Sequence, residues 1–213
     1  MARFNYENVK EYKLFHYVRW IGTIIRNINY KVEYTGLENI PDGGGYIIAS
    51  NHITALDPLY IMLAFKKNLV HFMAKKELFK IPVVGWVIKH CCAFPVARGT
   101  GDKLALSFAE RIPQQGFILG IFPEGTRSKD GKIGKGKRGV TQVVSVAKCD
   151  VLPVSIYNED GLKKRSRITV RFGKPIKYDQ FGFDDEPTRQ QQLDATELIM
   201  NTISQMWGEG HCK

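Results

Sequence analysis

The 213-residue sequence contains no run of the roughly 18–20 apolar residues that a spanning helix requires, so no transmembrane segment is expected. Cysteine is sparse. Cys91, Cys92, Cys149 and Cys212 include one adjacent pair and no C-x-x-C spacing, which argues against a zinc knuckle or a disulfide framework and fits a reducing compartment. There is no internal repeat and no low-complexity tract. The first 30 residues mix Glu7 and Glu11 with spaced cations, a pattern unlike a signal peptide. Acid is scarce beside base: 21 Asp and Glu against 31 Lys and Arg give a net charge of +10. Such a balance favours a polyanion, an anionic membrane surface or a phosphorylated substrate. Nucleic acid is not the expected partner, because the basic runs hold no stacking aromatics and no recognisable binding module.

What the chain does contain is a regular alternation of periods. Between residues 4 and 29, Leu14, Tyr17/Val18, Ile21, Ile24/Ile25 and Ile28 recur at helical spacing, with Arg19 and Arg26 on another face. The division expected is an amphipathic membrane-interface helix over residues 1–29 and a catalytic domain over 30–213. At Tyr30, Val32 and Tyr34 the period changes to two, as in a half-buried strand. Strands are then expected at Tyr46–Ala49, Leu69–Ala74, Ala93–Val96, Phe117–Phe122, Val151–Tyr157 and Ile168–Phe172. Helices are expected at Asp57–Phe65, Ile81–His90, Asp102–Gln114, Gly139–Lys148 and Pro187–Trp207. This alternation implies an α/β fold: a mixed, largely parallel sheet flanked by helices, with ligands in the loops where strands end.

Two such loops carry chemistry. The first reads Ser50-Asn51-His52-Ile53-Thr54-Ala55-Leu56-Asp57-Pro58. Imidazole is the natural general base for a hydroxyl, and a carboxylate on its other nitrogen would fix the tautomer. Asp57 could equally cap the helix that follows, with Pro58 in its first turn. The second reads Phe122-Pro123-Glu124-Gly125-Thr126-Arg127-Ser128, straight after the most apolar strand. Its Arg suits a phosphate, and its Gly allows close backbone approach to an anion. An ordinary solvated turn is the alternative.

Together the two loops, about 70 residues apart, resemble the 1-acylglycerol-3-phosphate acyltransferase family. Phe94-Pro95-Val96-Ala97-Arg98, Val151-Leu152-Pro153-Val154-Ser155-Ile156 and Ala74-Lys75-Lys76-Glu77-Leu78 are similar to further family blocks, and the resemblance covers roughly residues 30–175. It implies the glycerolipid acyltransferase fold and transfer of a fatty acyl group from a thioester to the sn-2 hydroxyl of lysophosphatidic acid, giving phosphatidic acid. It implies that His52 is the base and Asp57 its orienting partner. Arg127, Arg98 and Lys75 would hold the acceptor phosphate, while Glu124, Gly125 and Thr126 form the loop, the Gly125 amide being a candidate oxyanion donor. Acyl-CoA or acyl-carrier protein would be the co-substrate, with no bound cofactor and no metal. The expected location is peripheral, on the cytoplasmic side of the cell membrane, against anionic lipid. Another lysophospholipid or polar acceptor is the alternative substrate.

Other features point less sharply. Residues 127–138 hold Arg127, Lys129, Lys132, Lys135, Lys137 and Arg138 against Asp130. Gly131 to Lys137 nearly matches a phosphate loop, but Arg138 stands where the magnesium-binding hydroxyl belongs, so no ATPase is expected. That run and Lys163, Lys164, Arg165, Arg167 and Arg171 are solvated faces or lipid-phosphate contacts. Cys91 and Cys92 read as buried rather than acyl-carrying. Leu78–Ile88 is more apolar than an outer helix needs, which fits core packing, an acyl channel or a membrane-facing patch.

Overall fold

The structure, a computed structural model, describes residues 4–9, 22–23, 31–65, 68–97, 101–158 and 166–211. Among the described residues seven strands form one sheet: β1 (Lys31–Thr35), β2 (Tyr46–Ser50), β3 (Val70–Lys75), β4 (Phe94–Val96), β5 (Ile118–Ile121), β6 (Val151–Tyr157) and β7 (Arg167–Phe172), in the order β1-β7-β6-β2-β5-β3-β4. From β6 to β4 every neighbouring pair is parallel. β7 runs antiparallel to β6, and β1 pairs parallel with β7. The α-helices bounded within the described residues are α1 (Asp57–Ala64), α2 (Pro82–His90), α3 (Lys103–Gln114), α4 (Gly139–Ala147) and α5 (Arg189–Gly208).

Both faces of the central strands are covered, which is why β2 and β5 read as continuous apolar runs rather than as alternation. The pleat divides them between two cores. Ile47, Ala49, Leu119, Ile121 and Val151 face α3, α4 and α5 with Phe108, Ile112, Val144 and Ile199. Tyr46, Ile48, Ile118, Leu152 and Val154 face α1 with Tyr60, Ile61 and Phe65. Because β6, β2, β5, β3 and β4 run the same way, Tyr157, Ser50, Ile121, Lys75 and Val96 all end at one edge of the sheet. β2 and β5 are direct neighbours there, so the loop 51–57 and the loop 122–128 emerge side by side.

The expected elements agree with the observed ones within about two residues, and the differences have local causes. Asp102 is not the first turn of α3 but its N-cap, its carboxylate accepting from the Ala105 amide at 3.1 Å. α5 starts after Thr188, not at Pro187. Thr188 accepts from the Gln191 amide at 3.2 Å, and the Gln191 side chain accepts from the Thr188 amide at 2.9 Å, a reciprocal capping box. A 3₁₀ turn over Lys76–Lys80 precedes α2. Most of the expected N-terminal helix lies outside the described residues. Gly22 and Thr23 are helical, but residues 4–9 are not. There Phe4 and Tyr6 set their rings edge-on against Phe108, and the Tyr6 hydroxyl donates to the Pro95 carbonyl at 2.9 Å. The aromatic pair draws this segment onto the core in non-helical form.

Candidate active site

The loop after β2 is held at both ends. Asn51 mimics a peptide: its amide nitrogen donates to the Ile156 carbonyl at 2.9 Å, and its oxygen accepts the Ile156 N–H at 2.7 Å. This prolongs the pairing of β2 with β6 by one side chain and fixes where His52 begins. Asp57, fully buried, is the first residue of α1, yet its carboxylate does not cap the helix. It turns back into the loop. Oδ2 accepts from the Ile53 amide at 2.5 Å and the Thr54 amide at 2.7 Å, and lies 2.8 Å from His52 Nδ1. Oδ1 accepts from the Thr54 hydroxyl at 2.8 Å. A carboxylate among this many donors is an acceptor throughout, so the proton between it and His52 belongs on Nδ1. The free lone pair of the ring is then on Nε2.

The His52 ring, 7% exposed, lies flat on Phe122 with centroids 4.0 Å apart and planes 16° apart. Phe122 in turn stacks on Phe72 of β3, at 5.5 Å and 18°. Phe72 fits because β5 has Gly120 opposite it, where any Cβ would strike the phenyl ring. The His52 amide donates to Glu124 at 3.1 Å, and the Ser128 amide donates to the His52 carbonyl at 2.8 Å, so the two loops are bonded together. Burial pushes the Glu124 carboxyl up, and the His52 and Gly134 amides that it accepts from oppose that rise. Gly125 has a left-handed φ of 71°, and its amide closes the turn onto the Phe122 carbonyl at 2.9 Å. The oxyanion role offered for that amide is therefore corrected: it is already engaged. Residues 134–137 fold over this turn. The Lys137 amide donates to the Pro123 carbonyl at 2.8 Å, and its ammonium lies 3.0 Å from the point a Cβ on Gly125 would occupy.

Of the other residues the sequence points to, Thr126 and Arg127 are exposed on the second loop. Lys75 ends β3 at the same sheet edge, half-exposed, 3.8 Å from Glu77. Arg98 lies outside the described residues, as do Lys163, Lys164 and Arg165; Ala97, its neighbour, follows β4 at that edge. Arg167 and Arg171 do not form a lipid-facing cluster. Arg167 pairs with Glu33 at 2.8 Å, and Arg171 binds the Met206 carbonyl at 2.7 Å and Glu209 at 3.1 Å, clamping the end of α5. Burial holds the Cys91 thiol up at about 11, so it is not a thiolate at neutral pH. A cavity of about 730 Å³ between α2, α3 and the segment 4–8 is lined by Phe79, Trp86, Phe94 and Phe108, and does not reach His52. Asn51, Phe72 and Gly120 escape sequence reasoning as site-builders. The one signal for Asn51 is a side-chain amide directly after a buried strand.

The sequence model of the family described as Acyltransferase matches residues 31–157, from β1 to the end of β6 and including both loops. The chain belongs to the acyltransferase family. Among curated relatives of this acyltransferase is the 1-acyl-sn-glycerol-3-phosphate acyltransferase of Bacillus subtilis. The two are 27% identical over 187 residues, which is 86% of this chain and 92% of the relative. The enzyme of the same name from Streptococcus pneumoniae is 30% identical over 179 residues, 81% of this chain and 66% of the longer relative. Among solved structures, the fold of this acyltransferase is that of the 1-acyl-sn-glycerophosphate acyltransferase PlsC from Thermotoga maritima. The TM-score is 0.74 at 24% identity, over 92% of this chain and 79% of that one.

Proposed function

We propose that this acyltransferase moves a fatty acyl group from an acyl thioester to the sn-2 hydroxyl of 1-acyl-glycerol-3-phosphate, giving phosphatidic acid. The observation that carries the reading is the buried Nδ1–Asp57 contact of 2.8 Å, which leaves His52 Nε2 as the basic atom beside the Glu124 loop. Nε2 takes the proton of the acceptor hydroxyl as its oxygen attacks the thioester carbonyl. The tetrahedral adduct collapses, the C–S bond breaks, and the imidazolium returns the proton to the departing thiolate. The products are the new ester and a free thiol, with no acyl-enzyme. Asp57 holds the tautomer and balances the transient charge. Arg127 and Lys75, from the same edge of the sheet, serve the acceptor phosphate together with Arg98. The thiol carrier is coenzyme A or an acyl-carrier protein.

The reaction takes place at a membrane surface. Among the described residues no helix is long and apolar enough to cross a bilayer. Support for peripheral docking comes from the turn and helix after β3, where Val83 is 74% and Trp86 51% exposed beside the exposed Leu78 and Ile81, with Lys76, Lys80 and Lys89 around them.

The test is an acceptor screen on the purified chain with one long-chain acyl-CoA. Lysophosphatidate should be used in preference to lysophospholipids with larger head groups. His52→Ala should lose about 10²–10⁴-fold in turnover while staying folded. Near-wild-type turnover by that variant would refute the mechanism, and preference for a larger head group would move the acceptor to another lysophospholipid.

A further inference from the structure

In the cation-rich stretch 127–138 the exposed Lys137 lays its side chain against a neighbouring glycine. Gly134 and Lys137 tie a short strap across the second loop, the first through the Glu124 carboxylate and the second through the Pro123 carbonyl at 2.8 Å. The strap lays the Lys137 side chain along the face of Gly125. Its Cδ, Cε and Nζ lie 3.4, 3.5 and 3.0 Å from the position of the missing Cβ. Any other residue at 125 would displace it, and the left-handed φ of 71° already selects glycine there. The ammonium is thus placed directly over the residue next to Glu124, whose carboxylate bonds the His52 amide.

Among the described residues no ion pair accounts for this placement. Among the described residues, Lys177 has Asp150, Arg167 has Glu33, Arg171 has Glu209 and Lys75 has Glu77. Neither Lys137 nor Arg127 enters an ion pair with a described residue. Ordering a lysine costs rotamer freedom. Two cations without an ion pair, one on the second loop and one on the strap that crosses it, suit an anion.

We infer that Lys137 binds a substrate phosphate over Gly125, forming with Arg127 a phosphate subsite that adjoins His52. The inference rests on the acyl-transfer reading for the identity of its ligand. Phosphate is common to the acceptor's phosphomonoester and to the carrier of the acyl donor, and kinetics separate the two sources.

The variants are Lys137→Met, which keeps the stem over Gly125 and removes the charge, and Lys137→Arg, which keeps the charge. Lys137→Met should raise KM for lysophosphatidate by about 10–100-fold, the range for losing a charge-assisted hydrogen bond, with kcat moving far less. Lys137→Arg should recover most of that loss, and monoacylglycerol, which lacks the phosphate, should be used equally by wild type and Lys137→Met. If the rise falls on KM for acyl-CoA instead, the subsite holds the donor's phosphate. Unchanged KM for both substrates, or a loss on monoacylglycerol with KM for acyl-CoA unchanged, overturns the inference. A second measurement needs no turnover. Inorganic phosphate should raise the melting temperature of the wild-type chain and of Lys137→Arg, and leave that of Lys137→Met unmoved. Phosphate stabilisation that persists in Lys137→Met overturns the subsite. Lysine-dependent stabilisation in a chain that fails to acylate lysophosphatidate would keep the subsite and reject the acceptor.

Discussion

Replacing Asp57 by Asn tests whether the carboxylate acts through its charge or through the tautomer it selects. The two oxygens have unequal duties. Oδ2 takes two backbone amides and His52 Nδ1, whereas Oδ1 takes only the Thr54 hydroxyl. An asparagine oxygen at the Oδ2 position keeps all three of those bonds. Its NH₂ group then faces Thr54 Oγ1, a hydroxyl that can accept as well as donate. The opposite orientation would set NH₂ against the Ile53 and Thr54 amides and leave buried donors unpaired, at about 1–3 kcal/mol each. The amide is therefore held in the orientation that preserves Nδ1–H, and what is lost is the charge. A hydrogen bond to a charged group is worth about 1.5–3 kcal/mol, which converts to roughly 10–100-fold in turnover. A trapped wrong tautomer would cost about 10⁴-fold. Single-turnover rates of Asp57→Asn should accordingly fall in the smaller range. Thr54→Val removes the group that receives the NH₂. Combined with Asp57→Asn it should lose more than the product of the two single effects. A loss near 10⁴-fold in Asp57→Asn alone, or strict additivity with Thr54→Val, would show that the hydrogen-bond count around Asp57 does not set the tautomer.

Gly120→Ala should destabilise the fold by about 1–3 kcal/mol, as overpacked cores do, because its methyl meets the Phe72 ring. Chemical denaturation reads this, and Phe72→Leu should relieve it in the double variant; a neutral Gly120→Ala would refute the packing argument. Val83→Ser with Trp86→Ser should reduce co-sedimentation with anionic vesicles several-fold and leave acylation of micelle-borne acceptor intact. Rising salt should weaken wild-type binding, since lysines near an anionic surface contribute about 1 kcal/mol each and are screened. Binding unchanged in that variant would move the docking surface elsewhere.

The sequence made the architecture legible because its signals are local. From β2 to β6 strand and helix periods alternate, and turn residues separate them. The His52–Asp57 pair was also within reach, since both residues belong to one short loop whose closure needs no distant partner. The alternative reading of Asp57 as a helix cap failed because the amides of Ile53 and Thr54 lie behind it and compete for the same oxygens. What could not be read is what depends on strand order. That Gly120 and Phe72 meet follows from β5 lying beside β3, and that Asn51 meets Ile156 follows from β2 lying beside β6. No spacing in the chain encodes either adjacency. The start of α5 was legible after all: Thr188 and Gln191 stand three apart, the pattern of a reciprocal cap, immediately after Pro187.

In the proposed mechanism the stack beneath His52 has a consequence for the charge that arises during turnover. Once Nε2 has taken a proton, the ring is a cation lying parallel to Phe122 at 4.0 Å. The negative face of the phenyl ring attracts such a cation, by about 0.5–1 kcal/mol at exposed sites and more where water is excluded. Asp57 meets the imidazolium at its edge through Nδ1, and Phe122 meets it at its face. The two attractions act along perpendicular directions, so neither weakens the other's geometry. In the proposed mechanism the face of Phe122 is in place when the tetrahedral adduct forms. A leucine of similar bulk at this position would support the ring equally well in the resting enzyme and contribute nothing to that charge.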